Sequence, residues 1–325
     1  MPKSVVSDTF TAKSAKHKLR PAVWLRTSVS LGALVWLLAY VDWVSLLAAL
    51  EKVSPFVVLA AVLLHAAAFL IGAARWWLLL RRFYPAAALT SLVPGYFMAS
   101  ALNQVLPGGV GGDVLRPWLV GGLGYGISAA AVSTVLDRVL GLAGILVLGD
   151  IALVFLPTGL WVEHPLVLVG VVSAAVALLV AAFFSDGSLS KLLPRQWVEA
   201  RAGQLFFRLW RDVRDFRHEA GVLLFVLSLA WLSQAVIIAV YMLVGRELGI
   251  DLSIAEYFAL IATVFVVSAL PISLGGLGLR EGVLVAMLVA KGVPMESASA
   301  LAVAYLAVLW LSLTPGMAMA ARRWR

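Results

Sequence analysis

The chain has 325 residues, 62% of them apolar and 13% charged, with no cysteine and a net charge of +8; its mean hydropathy is +1.00. Soluble domains run at about 45–50% apolar and about 25% charged, so an ordinary water-soluble core is excluded. The lack of cysteine excludes disulfides and thiolate metal sites, and the positive charge does not point to nucleic acid, because Lys and Arg gather in loops between apolar stretches.

Taken in chain order, residues 1–21 form a basic tail, which leads into an apolar stretch at 22–40 without a small-residue cleavage pattern. This predicts an uncleaved first helix behind a cytoplasmic tail. Further apolar stretches at 55–80, 128–156, 165–184, 219–244 and 297–320 each reach the roughly 20 residues that span about 30 Å of hydrocarbon. Two others, 91–117 and 254–290, are apolar but interrupted by Gly and Pro.

Most Lys and Arg fall in the tail, after the second span (Arg75, Arg81, Arg82), in the stretch 185–218, and at 321–325. The positive-inside rule makes that side cytoplasmic, with both termini inside. The two interrupted stretches must then make no net crossing. The expected fold is an all-α integral membrane protein with about six full spans and two re-entrant hairpins, in two repeats of opposite topology. Eight or more spans, with two short crossings per interrupted stretch, preserve the same parity. Repeat 1 covers 22–156 with its re-entrant motif at 103–117. Repeat 2 covers 157–320 with its motif at 268–282. A basic linker at 185–218 joins them, and Val198, Ala202, Leu205, Leu209, Val213 and Phe216 share one helical face there. An interfacial anchor on the cytoplasmic leaflet is the simpler reading of this linker, and recognition of anionic lipid the functional one.

The interruptions share a pattern. Pro107-Gly108-Gly109-Val110-Gly111-Gly112-Asp113-Val114-Leu115-Arg116 and Pro271-Ile272-Ser273-Leu274-Gly275-Gly276-Leu277-Gly278-Leu279-Arg280 both read Pro, three residues, Gly-Gly, three residues, Arg. Broken helix is tolerated at membrane depth only where protein or a water-filled cavity covers it. A matched pair of such breaks in two halves points to a transporter-like site.

Charges at that depth are seldom idle. Arg116 and Arg280 occupy equivalent positions and are expected to converge on one cavity, where guanidinium binds phosphate bidentately. Gly111, Gly112, Gly275 and Gly276 permit close backbone approach, and the helix starts behind them can direct N–H groups at an anion. The competing reading is that Arg116 merely pairs with Asp113 and Arg280 with Glu281. Asp137 and Arg138 lie mid-span, and each needs a partner on another segment. Arg138 is a third cation for the cavity or half of a structural interhelical pair, and Asp137 is a counter-charge for Arg116 or Arg280. Asn103 can line the cavity or satisfy broken backbone. His65 reads as a buried, hydrogen-bonded histidine rather than a proton relay.

No Walker loop, His-Glu-x-x-His, Gly-x-Ser-x-Gly or zinc-ligand cluster occurs. No catalytic residue, metal ligand or cofactor is therefore assigned.

The run Asn103 to Arg116, together with Asp137-Arg138 and Pro271 to Glu281, resembles the lysylphosphatidylglycerol synthase transmembrane-region family, whose members are often labelled flippase-like. The resemblance extends over nearly the whole chain from about Ala22. It implies a lipid-handling protein of the plasma (inner) membrane. In bifunctional members this region moves a modified phospholipid between leaflets while a separate soluble domain makes it. No such domain is present in these 325 residues. Other relatives are linked to hopanoid or polyprenyl-linked glycan pathways. The two motifs differ in that Leu277 stands where Asp113 does.

The expected function is a lipid translocase without an ATPase, binding a phosphate-bearing headgroup of a phospholipid or polyprenyl-phosphate-type lipid between the two hairpins. The alternatives are an intramembrane lipid-modifying transferase or a non-transporting scaffold in envelope lipid or glycan synthesis. An oligomer is compatible with either, and nucleic acid is not an expected partner.

Overall fold

The computed structural model describes residues 43–106, 111–121, 124–154, 170, 173–174, 177–178, 211–269 and 276–323. The spans expected at 22–40 and 165–184, both tails, most of the 185–218 linker and Gly275 lie outside the described residues. Every regular element among the described residues is helical.

The helices in chain order are α1 (Trp43–Glu51), α2 (Pro55–Leu80), α3 (Leu89–Val105), α4 (Gly111–Gly121), α5 (Ile127–Val154), α6 (Ala220–Glu247), α7 (Ile254–Ala269), α8 (Leu279–Ala290) and α9 (Met295–Arg323). Four of them, α2, α5, α6 and α9, carry stretches long and apolar enough to cross a membrane. They coincide with four of the six expected spans. Large apolar side chains stand exposed along their outer faces, including Phe56, Leu59 and Leu63 of α2 and Leu224, Phe225 and Leu232 of α6. In water such a surface would aggregate, and in hydrocarbon it is solvated. The protein is a multi-pass, all-α membrane protein.

Local sequence sets the helix ends. Ser54 caps α2, its hydroxyl accepting from Phe56 N, and Pro55 occupies the first turn, where a missing N–H costs nothing. Residues 43–51, expected as part of a loop, form α1 instead. Its Leu46 and Ala49 are buried while Trp43, Val44 and Leu47 are exposed, and the helix packs against α9.

Helix directions follow from hydrogen bonds at the ends. Ser54 N donates to Glu247 Oε2 at 3.2 Å, joining the start of α2 to the end of α6. At the opposite end Arg82 Nε lies 3.0 Å from Glu219 Oε1. α2 and α6 are therefore antiparallel along their length. Ser297 Oγ donates to Leu248 O at 3.1 Å, which puts the start of α9 beside the end of α6.

The short helices come in pairs that return to the end they left. Gly126 N donates to Tyr84 Oη at 2.6 Å, bringing the exit of α4 back to the approach to α3. Lys291 Nζ donates to Glu256 Oε1 at 2.6 Å, tying the exit of α8 to the first turn of α7. The order long, short, short, long thus occurs twice, in α2–α5 and in α6–α9. Packing crosses between the two sets: α2 lies on α6, α3 on α9, and α7 on α5.

The last turns of the linker differ from expectation. Val213 and Phe216 are buried with Leu79, Val132, Leu136, Leu223 and Val226, so protein and not lipid covers the apolar face there.

Candidate anion-binding cavity

A cavity of about 400 Å³ opens between the two sets of helices. Its wall brings together Arg75 (α2), Tyr96, Asn103 and Gln104 (α3), Arg116 (α4), Asp137 and Arg138 (α5), Gln234 (α6) and Arg280 (α8). Arg116 and Arg280 therefore reach one cavity from separate motifs, and Arg138 joins them.

Four helices build the first charged cluster. Arg75 Nε and Nη2 donate to Asp137 Oδ1 at 3.0 and 2.7 Å. The other oxygen of Asp137, Oδ2, accepts from Arg116 Nη1 at 2.9 Å. Arg116 Nη2 lies 2.9 Å from Asp113 Oδ1, and Asp113 Oδ2 accepts from Arg138 Nε. Arg116 also sits over Tyr96, 4.3 Å from its ring centre, and 5.3 Å from that of Trp76. Aromatic faces attract a cation, and more so where water is excluded. Ser233 Oγ accepts from Arg75 Nη1 at 3.4 Å.

The second cluster is smaller. Arg280 Nε and Nη2 donate to Glu281 Oε1 at 2.9 and 2.6 Å. Glu281 Oε2 accepts from Gly278 N at 2.8 Å, closing the first turn of α8. Gly278 has φ +77°, a conformation glycine adopts without steric cost. Arg280 lies 5.3 Å from the ring centre of Tyr305.

The helix starts behind the motifs are already capped. Asn103 Oδ1 accepts from Gly112 N at 2.7 Å and from Asp113 N at 3.3 Å, so this cavity residue satisfies the broken backbone itself. Anion binding in this cavity therefore falls to the guanidiniums and not to backbone N–H at these caps. Gly111 packs on Leu106, and a Cβ on Gly112 would collide with the carbonyl of Ala99. Gly276 has φ +84° beside Ser268. None of these three glycines forms part of the cavity wall. Asp113 and Glu281 act one step back, through the arginines they hold.

Residues 23–316 match the family model described as lysylphosphatidylglycerol synthase TM region. The chain belongs to that family. No curated protein matches it. Membership in the lysylphosphatidylglycerol synthase TM region family, together with the membrane-spanning helices, makes this a membrane protein related to lipid metabolism.

Within this family member, Arg75 is the main residue that sequence reasoning misplaced. It counts as a cytoplasmic span-end charge by position, but α2 continues to Leu80 and buries it. The signal was present in the apolar run Trp76-Trp77-Leu78-Leu79-Leu80 that follows it. Trp76, expected in an interfacial belt, is fully buried and donates to Ser133 Oγ at 3.1 Å. His65 is buried between Ser312 Oγ at 2.8 Å and Tyr305 Oη at 3.1 Å, in line with its hydrogen-bonded reading. Among the described residues no group of His, Cys, Asp and Glu could hold a metal ion.

Proposed function

We propose that this protein is a lipid translocase of the plasma membrane that binds a phosphate-bearing headgroup in the cavity and lacks an ATPase. The observation that carries the reading is the shared wall: Arg116 and Arg280, from two separate motifs, line one cavity together with Arg75 and Arg138. Guanidinium in a site shielded from water is the side chain best suited to phosphate.

The helix arrangement supports alternating access. α3 and α7 have 17 and 16 residues, or about 25 Å at 1.5 Å per residue, short of the ~30 Å of hydrocarbon. As each pair returns to its starting end, α3–α4 and α7–α8 read as re-entrant hairpins entering from opposite faces. The two sets of four helices then form an inverted-topology repeat, and rocking one against the other moves the opening of the cavity between leaflets. Lipid tails stay in the bilayer while the headgroup passes the arginines. Helix directions and the basic ends put the start of α6 and the end of α9 in the cytoplasm. The basic linker contacts anionic lipid there.

The test is movement of fluorescent phospholipids and polyprenyl phosphates in liposomes holding the purified protein. Arginine-dependent movement, lost in Arg116→Gln and Arg280→Gln, supports the reading; full movement in folded variants overturns it.

One observation favours a second reading. Each motif arginine is already held by a carboxylate of its own motif. The pairs would then be static braces in a non-transporting scaffold. On that reading Arg280→Met combined with Glu281→Leu keeps whatever activity the cell requires, whereas translocation requires the lost cation.

A further inference from the structure

The buried charges of the cavity do not balance. Among the described residues, the fully buried Arg, Asp and Glu side chains are Arg75, Arg116, Arg280, Asp113, Asp137 and Glu281. All six belong to the two clusters, and the half-exposed Arg138 completes the first. Four guanidiniums thus face three carboxylates, an excess of one positive charge. The excess arises where the motifs differ. An acidic side chain at Leu277, matching Asp113, would cancel it.

The wall also presents unused acceptors. Gln104 Oε1 on α3 and Gln234 Oε1 on α6 are enclosed and have no hydrogen-bond partner, and both residues line the cavity. A buried acceptor without a donor is unfavourable, so a ligand bringing donors gains by meeting them. The remaining wall is largely apolar, with Phe69, Leu142, Ile145, Ile237 and Phe265.

We propose, resting on the translocase reading, that the cavity selects a lipid whose headgroup is a phosphodiester with one net negative charge and a terminal polyol. The single anion neutralises the excess guanidinium charge, and the hydroxyls donate to Gln104 and Gln234. A phosphomonoester or diphosphate brings more negative charge than the site lacks. A zwitterionic ethanolamine headgroup leaves the excess uncompensated and sets an ammonium beside four arginines. A headgroup bearing an added cationic amino acid does so more strongly.

The experiment measures binding of dioctanoyl lipids to the full-length protein in detergent. Phosphatidylglycerol supplies the charge and the hydroxyls, phosphatidylmethanol the charge alone, and phosphatidylethanolamine and lysylphosphatidylglycerol the wrong charge. Soluble glycerophosphoglycerol lacks the lipid chains. Phosphatidylglycerol is expected to bind about tenfold tighter than phosphatidylmethanol, a ratio set by the two acceptors. Gln104→Leu with Gln234→Leu is expected to erase that ratio without weakening phosphatidylmethanol. Equal binding of the two anionic lipids by the unmodified protein overturns this inference and leaves the anion site standing. Tighter binding of lysylphosphatidylglycerol overturns the charge argument. Binding of glycerophosphoglycerol as tight as the lipid overturns the lipid assignment. No binding by any anionic lipid overturns both this inference and the translocase reading.

Discussion

Arg75 and Asp137, on α2 and α5, meet through two hydrogen bonds to the single oxygen Oδ1, and their side chains are 8% and 2% exposed. The other oxygen of Asp137 holds Arg116. One carboxylate therefore anchors two helices to a third and compensates two buried cations. Asp137→Ala leaves both guanidiniums short of charge and should destabilise the protein by about 3–5 kcal/mol, the usual cost of breaking a buried pair from one side. Asp137→Leu with Arg75→Met should recover part of that loss. Unfolding in detergent, followed by tryptophan fluorescence, measures both; a double variant no more stable than Asp137→Ala counts against the pairing.

The pair Arg82–Glu219 is a contrasting case. Its side chains are 53% and 37% exposed, so solvent screens it. Glu219→Ala should change stability by no more than about 1 kcal/mol in the same assay. A larger loss would show that this end of α2 is less wet than its exposure indicates.

Close backbone contact makes Gly112 sensitive. A methyl group there meets the carbonyl of Ala99, which cannot rotate away as a side chain can. Gly112→Ala should push α4 off α3 and cost about 1–3 kcal/mol, the range for overpacking. It should also lower lipid movement, because Asp113 and Arg116 travel with α4. An unfolding midpoint equal to that of the unsubstituted chain would show that α4 yields freely.

The cysteine-free sequence makes topology directly measurable. Ala86→Cys and Ser128→Cys, at the exposed ends of α3–α4, should react with an impermeant maleimide from the cytoplasmic side only. Asp251→Cys and Glu296→Cys, flanking α7–α8, should react from the outside only. Labelling of Ala86→Cys and Ser128→Cys from opposite sides would show that α3–α4 crosses the membrane and is not a re-entrant hairpin.

Much of the fold was legible because a membrane makes periodicity secondary to length. A run of about 20 apolar residues spans, whatever its pattern, so α2, α5, α6 and α9 appear in the sequence nearly to their ends. The interrupted stretches were legible through Gly and Pro, and the repetition of the motif is what linked Arg116 to Arg280. Contacts across the chain were not legible. Asp137 is 62 residues from Arg75, and no local spacing announces that pairing. The same holds for Gln234, an isolated polar residue on an otherwise apolar helix. The role of Asn103 as a cap was half visible, since its neighbour in sequence is broken backbone, but its acceptance of two N–H groups needed the turn itself.

The exchange of packing between the two sets of helices has a consequence for biosynthesis. α3 packs more extensively on α9 than on any other helix, and α9 is the last helix to leave the ribosome. Until it arrives, the first hairpin lacks its principal cover, although Arg116 and Asp113 are already within the bilayer. The nascent first half must therefore be sheltered by lipid headgroups, water or the insertion machinery through most of translation. A chain that stops before α9 should be recognised as incomplete and degraded, even with both motifs intact.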